Sequence, residues 1–181
     1  MDRKSFVKST CFAGACFCGF STISAFTDNS ASENQDKDKP LYQQWLSNLL
    51  SDLNRDIDEE TLRKIVKKSA EAHYISLNMD ALLADYVGDL DKFNAYIESA
   101  WGWKIDYDKT TKVLIADENK TYCVCPVLEH NKEVNTSAIC YCSEGFAEKM
   151  FSVVTGAAVH AKVISSVRKG DKTCKYKIEI A

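Results

Sequence analysis

At Trp103 the hydrophobic period of the chain changes from helical to alternating, and no fold built from one kind of element accommodates both halves. Upstream, Leu41, Trp45, Leu46, Leu49, Leu50 and Leu53 recur at helical spacing just after Pro40. Asp56 and Glu59 form a capping pair in front of a second helix carrying Leu62, Ile65 and Val66. Two shorter helices are predicted over Met79 to Val87 and Asp89 to Trp101, the latter with Leu90, Phe93, Tyr96 and Ile97 on one stripe and Gly102 as its stop. Downstream, WKIDYD, TKVLIAD and TYCVCPV read as strands, with Asp117-Glu118-Asn119-Lys120 as the turn between the second and third. SEGFAEKMFSVVTG reads as a helix capped by Ser143 and ended by Gly156, and AVHAKVISSVRK and TCKYKIEI flank Gly170-Asp171 as closing strands. The expected class is α+β: a helical N-terminal half packed on a mostly antiparallel sheet, with one further helix against it.

The first residues do not belong to that pattern. MDRKSFVKSTCFAGACFCGFSTISAF has a basic start, an interrupted apolar stretch and small residues near its end, so residues 1–25 are expected to be an export leader. Arg3-Lys4-x-Phe6-Val7-Lys8 resembles the twin-arginine export motif, with lysine in place of the second arginine. Cleavage is expected after Ala25; a lipoprotein variant uses Cys16. Residues 26–40 hold no periodic apolar positions and read as a disordered linker, leaving residues 41–181 as a single domain. The protein is then exported, periplasmic or membrane-anchored, and touches membrane only through a leader or lipid anchor. With 23 Lys and Arg against 26 Asp and Glu and no basic patch, nucleic acid is not an expected partner.

Two Cys-x-Cys pairs stand out in CVCPVLEHNKEVNTSAICYCSEGF. On extended segments, residues i and i+2 share a face, so Cys123 with Cys125 and Cys140 with Cys142 each present two sulfurs together. Four thiolates brought together by the intervening loop suit zinc, and His130 is a substitute ligand. Three other readings stay open. The cysteines are small buried hydrophobes, or disulfides, or reactive thiols; the odd number left after the leader, Cys174 included, works against complete pairing. A hydrolytic reading uses Cys142 and Glu144 as nucleophile and carboxylate, or a metal-bound water. His73 and His160 are isolated on structural segments and are read as structural.

CYCSEGFAEKMFSVVTGAAVHAKVISSVRKGDKTCKYKIEI resembles the C-terminal half of the 4-vinyl reductase domain: a Cys near a Gly-aromatic step, a helix, a Gly before a strand, and Gly170-Asp171-x-x-Cys174-x-Tyr176-x-Ile178 at the end. That resemblance implies a fold shared with a trafficking-complex subunit family and with haem-based nitric-oxide sensor domains, and a small hydrophobic or aromatic ligand. Phenol-sensing members of the group hold zinc through Glu-x-x-Cys-x7-Cys. Aligned on Cys174, the other two ligand positions here are Ser166 and Val163, so any metal must use the Cys-x-Cys pairs. From Leu41 onward the chain also resembles a bacterial group related to L-2-amino-thiazoline-4-carboxylate hydrolases, through a helical start, a Cys-Pro step and the terminal Gly-Asp-x-x-Cys. The first resemblance implies a ligand-binding module and the second a hydrolase.

Overall fold

Trp103 marks the entry to the sheet in the computed structural model, which describes residues 30–128 and 136–181, with side chains from residue 39 onward. The expected leader, its cleavage site and His130 lie outside the described residues. By compactness the chain divides into Met1–Asp36, of which only the start of the first helix is described, and Lys37–Ala181. Helix α1 (Ser30–Asp56) begins well before Leu41 and carries Pro40 inside it, so it takes in much of the tract expected to be a linker. No described helix is long and apolar enough to cross a membrane.

Five more helices follow: α2 (Glu59–Lys68), α3 (Ala70–Ser76), α4 (Met79–Leu83), α5 (Leu90–Trp101) and α6 (Cys140–Thr155). The cap of α2 is Asp58, whose carboxylate accepts from the Thr61 amide at 2.9 Å, rather than the expected Asp56 and Glu59 pair. Asp89 caps α5 in the same way, and Gly102 ends it with φ +73°. Trp101 and Trp103 therefore flank a left-handed turn that only glycine adopts without strain.

The sheet holds β1 (Lys104–Asp108), β2 (Val113–Asp117), β3 (Val159–Ser165) and β4 (Lys175–Ile180), antiparallel throughout, in the order β1-β2-β4-β3. Register lines one face into rows, Ile105–Ala116–Tyr176–Val163 and Tyr107–Leu114–Ile178–Ala161. That face meets Phe146, Met150, Phe151 and Val154 of α6, with Phe93 and Ile97 of α5 closing the core. The α+β architecture is as expected. TYCVCPV is not a strand, however: the chain leaves the sheet at Asp117 and runs irregularly through residues 118–128. Cys140 and Cys142 lie in the first turn of α6, and Ser143 is inside the helix instead of capping it.

Helix α6 also covers the outer edge of β3. Glu144 accepts from the Val163 amide at 2.8 Å and Glu148 from the Ala161 amide at 3.0 Å, filling edge positions that a neighbouring strand would otherwise occupy. The same oxygen of each carboxylate, Oε1, also accepts from Arg63 and Lys67 of α2, each at 2.5 Å. The i,i+4 spacing on both helices sets the two bridges in register. Between them Gly145 lies against the Lys67 backbone, where an added Cβ would sit 2.9 Å from the carbonyl carbon.

Candidate functional site

A half-enclosed cavity of about 330 Å³ opens between α3, the end of α5, the segment after β2 and the start of α6. Its aromatic wall comes from Trp101, Trp103, Phe146 and Tyr176. The Trp101 and Trp103 rings meet edge to face at 5.3 Å, and Trp103 stacks against Tyr176 at 6.1 Å. His73 of α3 lines the cavity too, stacked on Phe146 at 4.8 Å, and burial lowers its pKa so that the neutral ring is favoured.

All five described cysteines line this one space and none is in a disulfide. Cys123 and Cys125 come from the irregular segment, whose end is held where the Arg168 guanidinium donates to the Leu128 carbonyl at 3.4 Å and to Thr136 Oγ1 at 2.8 Å. Cys140 sits 3.1 Å from the Ser166 hydroxyl, and Cys142 is buried below it on the same helix. Cys174 enters ahead of β4. The expected pairs thus share one cavity, close enough that the thiols of Cys123, Cys125, Cys140 and Cys142 feel one another's charge. On a helix Cys140 and Cys142 do not share a face as they would on a strand. Among the described residues no group of three or more His, Cys, Asp or Glu side chains is arranged to hold a metal ion.

Burial in apolar surroundings pushes the thiols upward: Cys125 and Cys140 rise, Cys142 moves to about 11 and Cys174 to about 12. At neutral pH these are thiols rather than thiolates, poor nucleophiles and hydrophobic in character. Glu144, the expected partner of Cys142 in a hydrolytic pair, is fully buried between Arg63 and the Val163 amide and does not line the cavity. It joins helices and sheet, a role that its position in a helical turn did not reveal.

The folded chain holds the Cys142 and Cys174 protons above the ordinary thiol value of 9.0. The stability they contribute is therefore complete below about pH 9 and is lost as pH rises through their folded values near 11 and 12. Urea unfolding at a series of alkaline pH values should show a steeper loss for the wild type than for a Cys142→Ala, Cys174→Ala variant. Equal slopes would mean that these thiols are not protected by the fold.

Sequence reading missed the carboxyl in the cavity. Asn119, with φ +55°, turns the chain just past β2, and the Glu118 amide donates to the Cys174 carbonyl at 3.0 Å, extending the β2–β4 pairing by one step. Glu118 is thereby turned inward and is only 6% exposed. The Tyr176 hydroxyl donates to its Oε1 at 2.5 Å, and burial raises its pKa despite that bond. Lys120 lies close in sequence, but its ammonium donates to the Trp101 carbonyl at 3.2 Å. A larger cleft of about 450 Å³ runs past Lys104, Asp117, Asp171 and Lys175. It is open and polar, with Lys175 facing Asp117 at 3.4 Å, so the enclosed apolar cavity is the better site for a small molecule.

Among curated proteins there is no match. Solved structures similar at a low level include the following two. One is trafficking protein particle complex subunit 3 from Naegleria fowleri covalently bound to palmitic acid, with 11% identity over 81% of this chain and 96% of that one, at a TM-score of 0.46. The other is the phenol-responsive sensory domain of the transcription activator PoxR with phenol, with 11% identity over 75% of this chain and 72% of that one, at a TM-score of 0.44. The sequence family described as a family of unknown function, DUF6144, matches residues 23–181, which takes in every element of the fold and the whole cavity wall, and the chain belongs to that family.

Proposed function

We propose that this protein is a binding module that holds one small, largely apolar molecule in the thiol-lined cavity. The observation that carries this reading is the half-enclosed space of about 330 Å³ with Trp101, Trp103, Phe146 and Tyr176 on its wall. Concave, mostly apolar sites with few polar groups are the usual form of small-molecule pockets. The resemblance of residues 140–180 to the 4-vinyl reductase domain supports the same class of ligand. A hydrolytic reading has less support, because the Cys142 thiol stays protonated and Glu144 is engaged elsewhere.

The test uses the rim. Val124 lines the cavity yet is 46% exposed, so a larger side chain there blocks entry without disturbing the core. Equilibrium dialysis with naphthalene should show saturable one-to-one uptake by the wild type and a loss of about tenfold or more in Val124→Trp. Unsaturable uptake, equal in both proteins, would contradict a specific site.

A thiophilic ion at Cys123, Cys125, Cys140 and Cys142 is the second reading, favoured by the gathering of the thiols around one space. Binding zinc there requires the thiols to release their protons. Metal analysis of untagged protein beside Cys125→Ser, Cys142→Ser and Cys174→Ser variants tests it. Stoichiometric zinc lost only in the first two supports it, and metal-free wild type rejects it.

A further inference from the structure

The cavity places one carboxyl, Glu118, among aromatic rings, and the one basic side chain on its described wall is His73, whose neutral ring is favoured by burial. Among the described residues lysine and arginine are absent from that wall; the ammonium nearest in sequence, that of Lys120, donates to the Trp101 carbonyl and acts on Glu118 only through its charge, less than burial or the Tyr176 bond does. The groups that hydrogen-bond Glu118 are neutral: the Tyr176 hydroxyl donates to it and the Cys174 thiol lies beside it. Trp101, Trp103 and Tyr176 stand around the same space, and aromatic rings present a negative face that attracts cations and repels anions.

We infer that the preferred ligand is an organic cation, an ammonium group on a small apolar body, with Glu118 as its counter-charge and Trp101, Trp103 and Tyr176 beside it. The inference rests on the cavity being a ligand site and adds the class of ligand. An anionic head would meet a carboxyl and ring faces with no cation to receive it. A neutral head gains at most a hydrogen bond. An ammonium group instead brings a counter-charge into direct contact with the carboxyl, where Coulomb attraction is stronger than at a surface and the rings offset part of the cost of taking the cation out of water. An amine entering uncharged reaches the same state by taking the proton of Glu118, leaving a carboxylate and an ammonium with no other group consumed. The thiols then serve as apolar wall around the body of the ligand.

Three ligands that share one ring separate the possibilities: benzylammonium, benzyl alcohol and benzoate, titrated calorimetrically into the full chain near neutral pH. The expected order is benzylammonium tightest, by about tenfold over benzyl alcohol, with benzoate weakest. In Glu118→Gln the benzylammonium preference should shrink to threefold or less, as about expected when the counter-charge is removed but the rings remain. The wild-type comparison stands by itself if that variant does not fold. Benzyl alcohol binding as tightly as benzylammonium, or a preference that survives in a folded Glu118→Gln protein, overturns the cation inference while leaving the cavity a ligand site. Failure of all three, together with failure of naphthalene uptake, overturns both.

Discussion

Replacing Glu144 by alanine should destabilise the domain by about 3 kcal/mol or more, the range found when one member of a buried ion pair is removed. The substitution leaves Arg63 without its buried partner and the Val163 amide without an acceptor on the outer edge of β3. Arg63 keeps the Glu59 carboxylate at 2.7 Å and the Tyr141 ring at 4.2 Å, which places the loss toward the lower end of that range. A Glu148→Ala variant is the comparison: its carboxylate is partly exposed and its loss should cost less. Urea unfolding of both variants reads the difference. Equal small losses would mean that the β3 edge is not held by α6.

Among the described glycines, Gly145 is the one where an added methyl meets backbone, and Gly145→Ala should destabilise the domain strongly. The new Cβ would overlap the Lys67 carbonyl oxygen, lie 2.9 Å from its carbon and 3.1 Å from the Ala70 methyl. Two of these neighbours are backbone, so neither turns aside as a flexible side chain would. Helices α2 and α6 must separate, and the Arg63–Glu144 and Lys67–Glu148 bridges on either side stretch with them. Overpacking of this kind costs about 3 kcal/mol. Alanine is intrinsically better than glycine within a helix by roughly 1 kcal/mol, so an exposed site would show the opposite sign. Unchanged or increased stability in Gly145→Ala would contradict the close helix contact.

The switch of period at Trp103 was enough to read the α+β class, because alternation and 3.6-residue spacing are set by local geometry that the sheet and helices then keep. The stops at Gly102 and Gly156 were legible for the same reason: both residues adopt positive φ at a helix end. The stretch 121–128 misleads because Tyr122, Cys123, Val124 and Cys125 have strand-like composition, while the edge of β2 that a following hairpin strand would take is occupied by β4. Cys140 and Cys142 fall in helical rather than extended backbone, and a face shared on a strand is not shared on a helix. On α1, Leu41 and Trp45 have core spacing yet are exposed, since periodicity shows which residues share a face and not what covers it.

The cavity was only half visible. Its cysteines stand out in the sequence as a cluster, and all five described ones do line one space. Glu118 gave no signal, because an acidic residue in a polar turn is ordinary; only the pairing of its amide with Cys174 turns it inward. Trp101 and Trp103 were read as a helix end and a strand start. The left-handed Gly102 between them is what lets both rings face the same cavity.

The three tryptophans supply a direct test of ligand binding in that cavity, since Trp101 and Trp103 line it while Trp45 lies on α1 and is 64% exposed. Each indole N–H gives its own proton–nitrogen resonance, assignable by single Trp→Phe replacements. Titration with benzylammonium should move the Trp101 and Trp103 indole resonances along saturating curves with one dissociation constant, while the Trp45 resonance stays in place. Trp101 and Trp103 resonances that remain fixed, or three resonances that drift together without saturation, would contradict the account.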